Sequence, residues 1–118
     1  MRKMQLSFTQ PTISINGVEF KVMRSDAAII QDLLDIDKVY EGKNMSEPEN
    51  ILAKNTDVLK YMDKLFGQPD AADAIAKTVP GMKGFDLGLA GTGALFTQIA
   101  QMASDAYNEA IKLKYEDD

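Results

Sequence analysis

The chain of 118 residues carries a formal net charge of −5 and has an ordinary globular composition, with 45% hydrophobic and 26% charged residues. This length predicts one domain with its own hydrophobic core. Cysteine and histidine are both absent, which excludes disulfides, thiolate nucleophiles, and the commonest general base and transition-metal ligand. We therefore expect no cofactor, no metal site and no enzymatic activity.

Charge and hydropathy also argue against nucleic acids and membranes as partners. Residues 1–24 hold four basic residues against one acidic residue, and the rest of the chain is strongly acidic. Phosphate recognition usually requires a larger basic surface. The first residues have charge without the apolar run of a signal peptide, and no apolar stretch approaches the length of a transmembrane helix. We expect a cytoplasmic protein.

Residues 1–24 have the two-residue period of β-strands and contain a strong turn signal. Asn16-Gly17 lies between two runs in which apolar and polar residues alternate. Because both central residues of a type I′ turn have positive φ, Asn-Gly in this position predicts a β-hairpin with a two-residue loop. The hairpin would pair Ile13 with Phe20 on an apolar face. A lone hairpin is marginal in water, so this face should rest on helices.

The remaining chain has helical periodicity. Residues 25–79 predict three helices, the first capped by Ser25 and the second opened by a capping box at Ser46–Glu49. Residues 80–93, which hold five of the eight glycines, predict a loop, and residues 94–114 predict a C-terminal helix followed by a solvated tail. The predicted fold is α+β, mainly α: one domain with an N-terminal β-hairpin or small meander packed on a bundle of about four helices.

The glycine-rich segment 80–93 admits two interpretations. A phosphate-binding loop would require Gly-Lys-Ser/Thr, or the third glycine of a dinucleotide fingerprint, and neither is present. A connector is the favoured interpretation. Its apolar residues exceed what a connector needs, which is typical of a segment that orders on binding. We therefore predict a protein-binding contact formed by Phe85, Leu87, Leu89 and, in the following helix, Leu95.

Two acidic residues of the first predicted helix form a second candidate contact. Asp32 and Asp35 are three residues apart and therefore share a side of the helix. They lack the ligand spacing of a calcium loop. The favoured interpretation is a solvated face that offers negative charge to a basic partner.

Short motifs in the first two thirds of the chain resemble a known family. The run Ile15-Asn16-Gly17-Val18-Glu19-Phe20, followed by acidic helices, and the run Leu59-Lys60-Tyr61-Met62-Asp63-Lys64-Leu65-Phe66-Gly67 are similar to segments of tail assembly chaperones of long-tailed bacteriophages and prophages. The resemblance covers residues 13–75 and the last helix. It implies a protein that binds the helical tape measure protein, recruits tail tube subunits and has no catalytic site, in the cytoplasm of a bacterial host.

Three classes of function remain open from the residues. The first is this non-catalytic binding function, with a like subunit as a further partner if the protein self-associates. The second is a small structural component of the virion, such as a tail or connector protein that self-assembles. The third and least favoured is an enzyme using carboxylate or lysine chemistry, for which Asp86 and Asp105 are the acids to consider.

Overall fold

A computed structural model describes residues 1–82 and 84–117 of the protein, so Lys83 and Asp118 lie outside the described residues. The fold is α+β and mainly α, and the N-terminal hairpin packs against the helices, as predicted. In chain order the elements are β1 (Arg2–Phe8), β2 (Thr12–Ile15), β3 (Val18–Lys21), α1 (Asp26–Tyr40), α2 (Pro48–Phe66), α3 (Ala71–Lys77), α4 (Gly88–Ala110) and β4 (Ile111–Asp117).

The hairpin of β2 and β3 forms around the predicted turn. Asn16 and Gly17 have φ values of 50° and 81°, the left-handed region that a type I′ turn requires. Ile13 is paired with Phe20, and both side chains are buried. The Phe20 ring packs on Phe66 of α2 at a centroid distance of 5.3 Å. The apolar face of the hairpin therefore rests on the helices.

The core lies where α1, α2 and α4 pack together, with α3 closing one side. Each helix contributes side chains at helical spacing to it. The Ser25 hydroxyl accepts a hydrogen bond from the Ala28 N–H and caps α1, while Gly67 ends α2 with a left-handed φ of 58°. The main buried side chains of the helices are Ile29, Ile36, Met62, Leu65, Ala71, Ile75, Phe96, Ile99 and Ala103.

The predicted capping box at the start of α2 is wrong by one position. Glu47 is the N-cap residue and makes no side-chain capping bond, and Pro48 is the first helical residue. The Ser46 N–H and hydroxyl both donate to the side-chain oxygen of Asn44, at 3.0 and 2.5 Å. This local turn uses the serine that the capping box required.

The predicted bounds of the last helix, 94–114, and of the loop, 80–93, are also wrong. Helix α4 begins at Gly88 and ends at Ala110. Glycine is a poor helix former, yet burial of Thr92 and Phe96 holds these first turns against the body. The Thr92 hydroxyl also donates to the Gly88 carbonyl at 2.8 Å. Tertiary packing therefore overrides local propensity here.

Strand β4 replaces the predicted end of the helix and most of the solvated tail. It pairs antiparallel with β1 along its whole length, from Phe8 opposite Ile111 to Arg2 opposite Asp117. We call this two-stranded sheet the terminal ribbon. Its base is held by a hydrogen bond from the Thr9 N–H to the Ala110 carbonyl, at 3.0 Å. With the ribbon, the molecule measures 64 × 38 × 19 Å.

No helix within residues 1–82 and 84–117 is both long enough and apolar enough to cross a membrane.

Candidate functional site

The predicted contact at the start of α4 divides into two exposed and two half-buried side chains. Phe85 and Leu95 are half-buried and pack against the core. Leu87 and Leu89 keep 40% and 47% of their surface exposed. Leu87 is the N-cap residue of α4. The structure therefore brings the four residues to one end of α4, where the two leucines form its accessible part.

A groove between α2 and α4 continues from Leu89. It has a volume of about 230 Å³. Its walls are mostly apolar, and its lining also includes Lys54 of α2. We call it the α2–α4 groove, and its other apolar or small lining residues are Met45, Ile51, Val58 and Gly93.

A glycine, Gly93, makes the α4 wall of this groove thin. Gly93 is exposed, and no described atom beyond its immediate chain and helix backbone lies within 4 Å of a Cβ built on it. An incoming chain can therefore approach the helix backbone closely at this point. The cost is local stability, because each glycine in a helix interior is about 1 kcal/mol less favourable than alanine.

The solvated acidic face predicted for Asp32 is wrong. The side chain is buried, with only 3% of its surface exposed. Arg24 donates to both of its carboxylate oxygens, from Nε at 3.0 Å and from Nη2 at 2.6 Å, and Lys64 Nζ lies 3.7 Å from Oδ1. Asp32 therefore neutralises cations inside the fold and offers no negative patch to a partner.

Asp35 remains accessible and lies beside the α2–α4 groove. It is half-buried and accepts a hydrogen bond from Gln31 at 2.8 Å. With Leu34 and Glu41 it lines a larger groove of about 640 Å³ along α1, and this groove shares Met45 and Lys54 with the α2–α4 groove. Leu89 of the predicted apolar contact and one of the two predicted acids, Asp35, therefore line adjoining depressions.

A partly buried hydrogen bond lies beside the groove along α1, which Tyr40 lines. The Tyr40 hydroxyl donates to Asp57 Oδ2 at 2.5 Å and joins α1 to α2. This hydrogen bond, together with burial and the negative charge of Asp57, raises the pKa of Tyr40 to about 12. Burial also raises the pKa of Tyr61, with smaller contributions from Asp35, Asp32 and Asp57. Both hydroxyls therefore favour the neutral, hydrogen-donating form.

The terminal ribbon was not predicted from the sequence. Because side chains alternate between the faces of a strand, one face of the ribbon carries three rungs of paired apolar residues, and we call it the ribbon face. All of them are at least 39% exposed. The rungs are Met4 with Tyr115, Leu6 with Leu113, and Phe8 with Ile111. The signal was present in the alternation of Ile111, Leu113 and Tyr115 with charged residues.

The two acids considered for catalysis line neither the α2–α4 groove nor the groove along α1. Asp86 and Asp105 are both exposed; Asp86 accepts a hydrogen bond from the Gly88 N–H, and Asp105 accepts one from the Gln101 side chain. Across the described part of the chain, no group of three or more acidic residues is placed to hold a metal ion.

Comparisons of the chain with protein-family models, with curated proteins and with solved structures found no match.

Proposed function

We propose that the protein is a non-catalytic protein-binding protein that holds an apolar helical segment of a client in the α2–α4 groove. The observation that carries this proposal is the groove itself, where exposed Leu89 stands beside the bare backbone of Gly93 and the apolar side chains of α2. A helix that places apolar side chains in such a groove is a common mode of recognition.

The charges around the groove define the client further. The adjoining groove on α1 carries Asp35, Asp37 and Glu41 against Lys38 and Lys54. A client helix that crosses from one groove to the other would meet apolar walls first and then an acidic rim. The preferred client is therefore an amphipathic helix whose apolar stripe is flanked by basic residues, and added salt should weaken its binding.

Within this proposal, the family resemblance identifies the client as a tape measure protein. A tape measure protein is long and helical and exposes apolar stripes before assembly. A tail assembly chaperone would cover such a stripe in the bacterial cytoplasm and recruit tail tube subunits to it. The alternative, a small structural component of the virion, draws on the exposed ribbon face, because a self-assembling protein needs such a surface. Purified particles distinguish the two functions: a component remains in them and a chaperone does not.

Replacing Leu87 and Leu89 with serine tests the binding site. The double variant should weaken binding of the tape measure protein from the same genome at least about tenfold, because two exposed apolar anchors are lost. Its melting temperature should stay near that of the parent, because both side chains are already about half exposed. Serine at position 87 also supplies the N-cap that α4 lacks. Isothermal titration calorimetry and thermal denaturation give the two readouts.

Two further variants sharpen this test. Ile30 and Val39 on α1 are exposed to a similar extent and line neither groove, so Ile30→Ser with Val39→Ser is the matched control and should leave client binding unchanged. Gly93→Ala should stabilise the chain by about 0.5–1 kcal/mol while reducing binding, because its methyl group keeps a client chain from approaching the helix backbone closely. Full binding by the Leu87 and Leu89 variant would refute the proposed site.

A further inference from the structure

The ribbon face is a large apolar surface that the described chain leaves uncovered. Its six side chains retain between 39% and 70% of their surface. With about 200 Å² for the full surface of a large residue, this leaves roughly 700 Å² exposed on one face. A typical monomer has a largest apolar patch of about 300–600 Å². The ribbon face therefore has the size of an interface.

The ribbon also lacks the support that a two-stranded sheet normally needs. All residues of β1 and β4 are exposed, and the ribbon contacts the body mainly at its base, where the Phe8 ring lies 5.4 Å from that of Tyr107. An isolated two-stranded sheet is marginal in water. A partner that stays bound to the ribbon would stabilise it. Another copy of the chain is the one partner that is always present in equal amount.

The distribution of charge allows the ribbon face to pack against the ribbon face of a second copy. The charged residues of the ribbon lie on the opposite face, except for Arg2 and Asp117, which pair with each other at the tip at 4.0 Å. Like-on-like packing would therefore bury no uncompensated charge. A strongly charged partner such as nucleic acid would find nothing complementary on this face.

The geometry of the rungs suits a two-fold axis. Leu6 and Leu113 form the central rung, with one apolar rung on each side. Rotation about an axis through the central rung places the Met4–Tyr115 rung of one copy over the Phe8–Ile111 rung of the other. Each copy then presents the same patch, as a two-fold dimer interface requires. Two copies would bury about 1,400 Å² in total, which lies in the range of stable specific interfaces.

We infer that the protein forms a homodimer in which two ribbon faces pack against each other and make a four-stranded, two-layered interface. This inference does not depend on the proposed function, because Leu87 and Leu89 lie outside the ribbon. No residue of the ribbon face lines the α2–α4 groove.

Sedimentation equilibrium of the full chain tests the inference. We expect twice the chain mass and a dissociation constant of about 1 µM or tighter, as interfaces of this size commonly have. Leu6→Glu with Leu113→Lys places an opposite-charge pair in the central rung, which keeps the strands paired. This variant should raise the dissociation constant at least about 100-fold. A monomeric parent at about 100 µM, or a variant that stays dimeric, would overturn the inference.

A matched control uses the neighbouring rung on the opposite face. Gln5 lies opposite Lys114, so Gln5→Glu creates the same Glu–Lys pair there and should leave the dimer intact. If this control also loses the dimer, the charged variant acts by disturbing the ribbon and not by removing apolar contacts between the two ribbon faces. That result would count against the inference.

Cysteine variants decide the matter if the charged variant fails to fold. The chain contains no cysteine, so one introduced thiol reports one position. Leu113→Cys lies beside the inferred axis and should form an intermolecular disulfide under mild oxidation of dilute protein. Lys114→Cys on the opposite face should not. Equal cross-linking of the two variants, or none in either, would refute the ribbon-face dimer.

Discussion

Asp32 lies between Ile29 and Ile36 on the buried side of α1, where its charge is neutralised by two cations. Its contact with Arg24 uses both carboxylate oxygens, and the Arg24 side chain is only 26% exposed. Removing one member of a buried pair leaves the other charge without compensation. The residue therefore joins the segment before α1 to the core, and through Lys64 it also reaches α2.

Asp32→Asn should lower the free energy of unfolding by about 2–4 kcal/mol, because Arg24 loses its charged partner while remaining mostly covered. Asp35→Asn is the matched control, the same substitution one helical turn further on, and should cost about 0.5 kcal/mol or less at its partly exposed position. Urea denaturation monitored by circular dichroism measures both. Equal losses in the two variants would mean that the Arg24 contact contributes little.

At the scale of elements, the hydrogen bond from Tyr40 to Asp57 links α1 to α2 and makes their packing sensitive to high pH. The pKa of Tyr40 is raised from 10.0 to about 12. A group whose pKa is higher in the folded state stabilises the fold fully below the unfolded value. That contribution is lost as the pH rises from about 10 to about 12.

Tyr40→Phe removes this contribution and its pH dependence. The parent should lose stability more steeply than the variant between pH 10 and 12, so the difference between them should shrink as the pH rises through the raised pKa. Urea midpoints measured at pH 9 to 12 in steps of half a unit follow this difference. A difference that stays constant over this range would show that the Tyr40 pKa is not raised.

Elements whose signals are local were predictable from the sequence. The hairpin depends on Asn16-Gly17, the start of α1 on Ser25, and the end of α2 on Gly67, and each of these residues acts within its own turn. Asp32 was also within reach, because it follows Ile29 by three residues and precedes Ile36 by four. Its spacing places it on the buried stripe, and Arg24 lies just before the helix to neutralise it.

Elements decided by distant contacts were not predictable in this way. Leu113 fits the apolar stripe of a longer helix and also the alternation of a strand, and only its partner Leu6 decides between the two. The start of α4 was missed because Gly88, Gly91 and Gly93 disfavour a helix, whereas burial of its next turn favours one. The same distinction applies to the candidate site. Leu87 and Leu89 were predicted from their own segment, whereas the α2 side of the α2–α4 groove depends on how the two helices pack.

At the scale of the whole molecule, the body and the terminal ribbon should differ in stability. Amides of the helices near Met62 and Ile99, which are buried, should exchange most slowly at any protein concentration. Ribbon amides should gain protection as concentration rises, because dimerisation covers them. The first turns of α4 should exchange faster than its centre. Hydrogen exchange measured by mass spectrometry, at one protein concentration below and one above the dimer dissociation constant, gives the protection of all three regions. Ribbon protection that does not change with concentration would contradict the dimer.

The pairing of β1 with β4 has a further consequence for the order of folding. Even at the base of the ribbon, Phe8 and Ile111 are roughly a hundred residues apart along the chain, and closing so long a loop costs entropy before any contact repays it. During synthesis on the ribosome, β1 emerges first but has no strand to pair with until β4 has been made. The helical body can form in the meantime. Assembly of the ribbon, and any association that uses it, is therefore delayed until β4 has been synthesised.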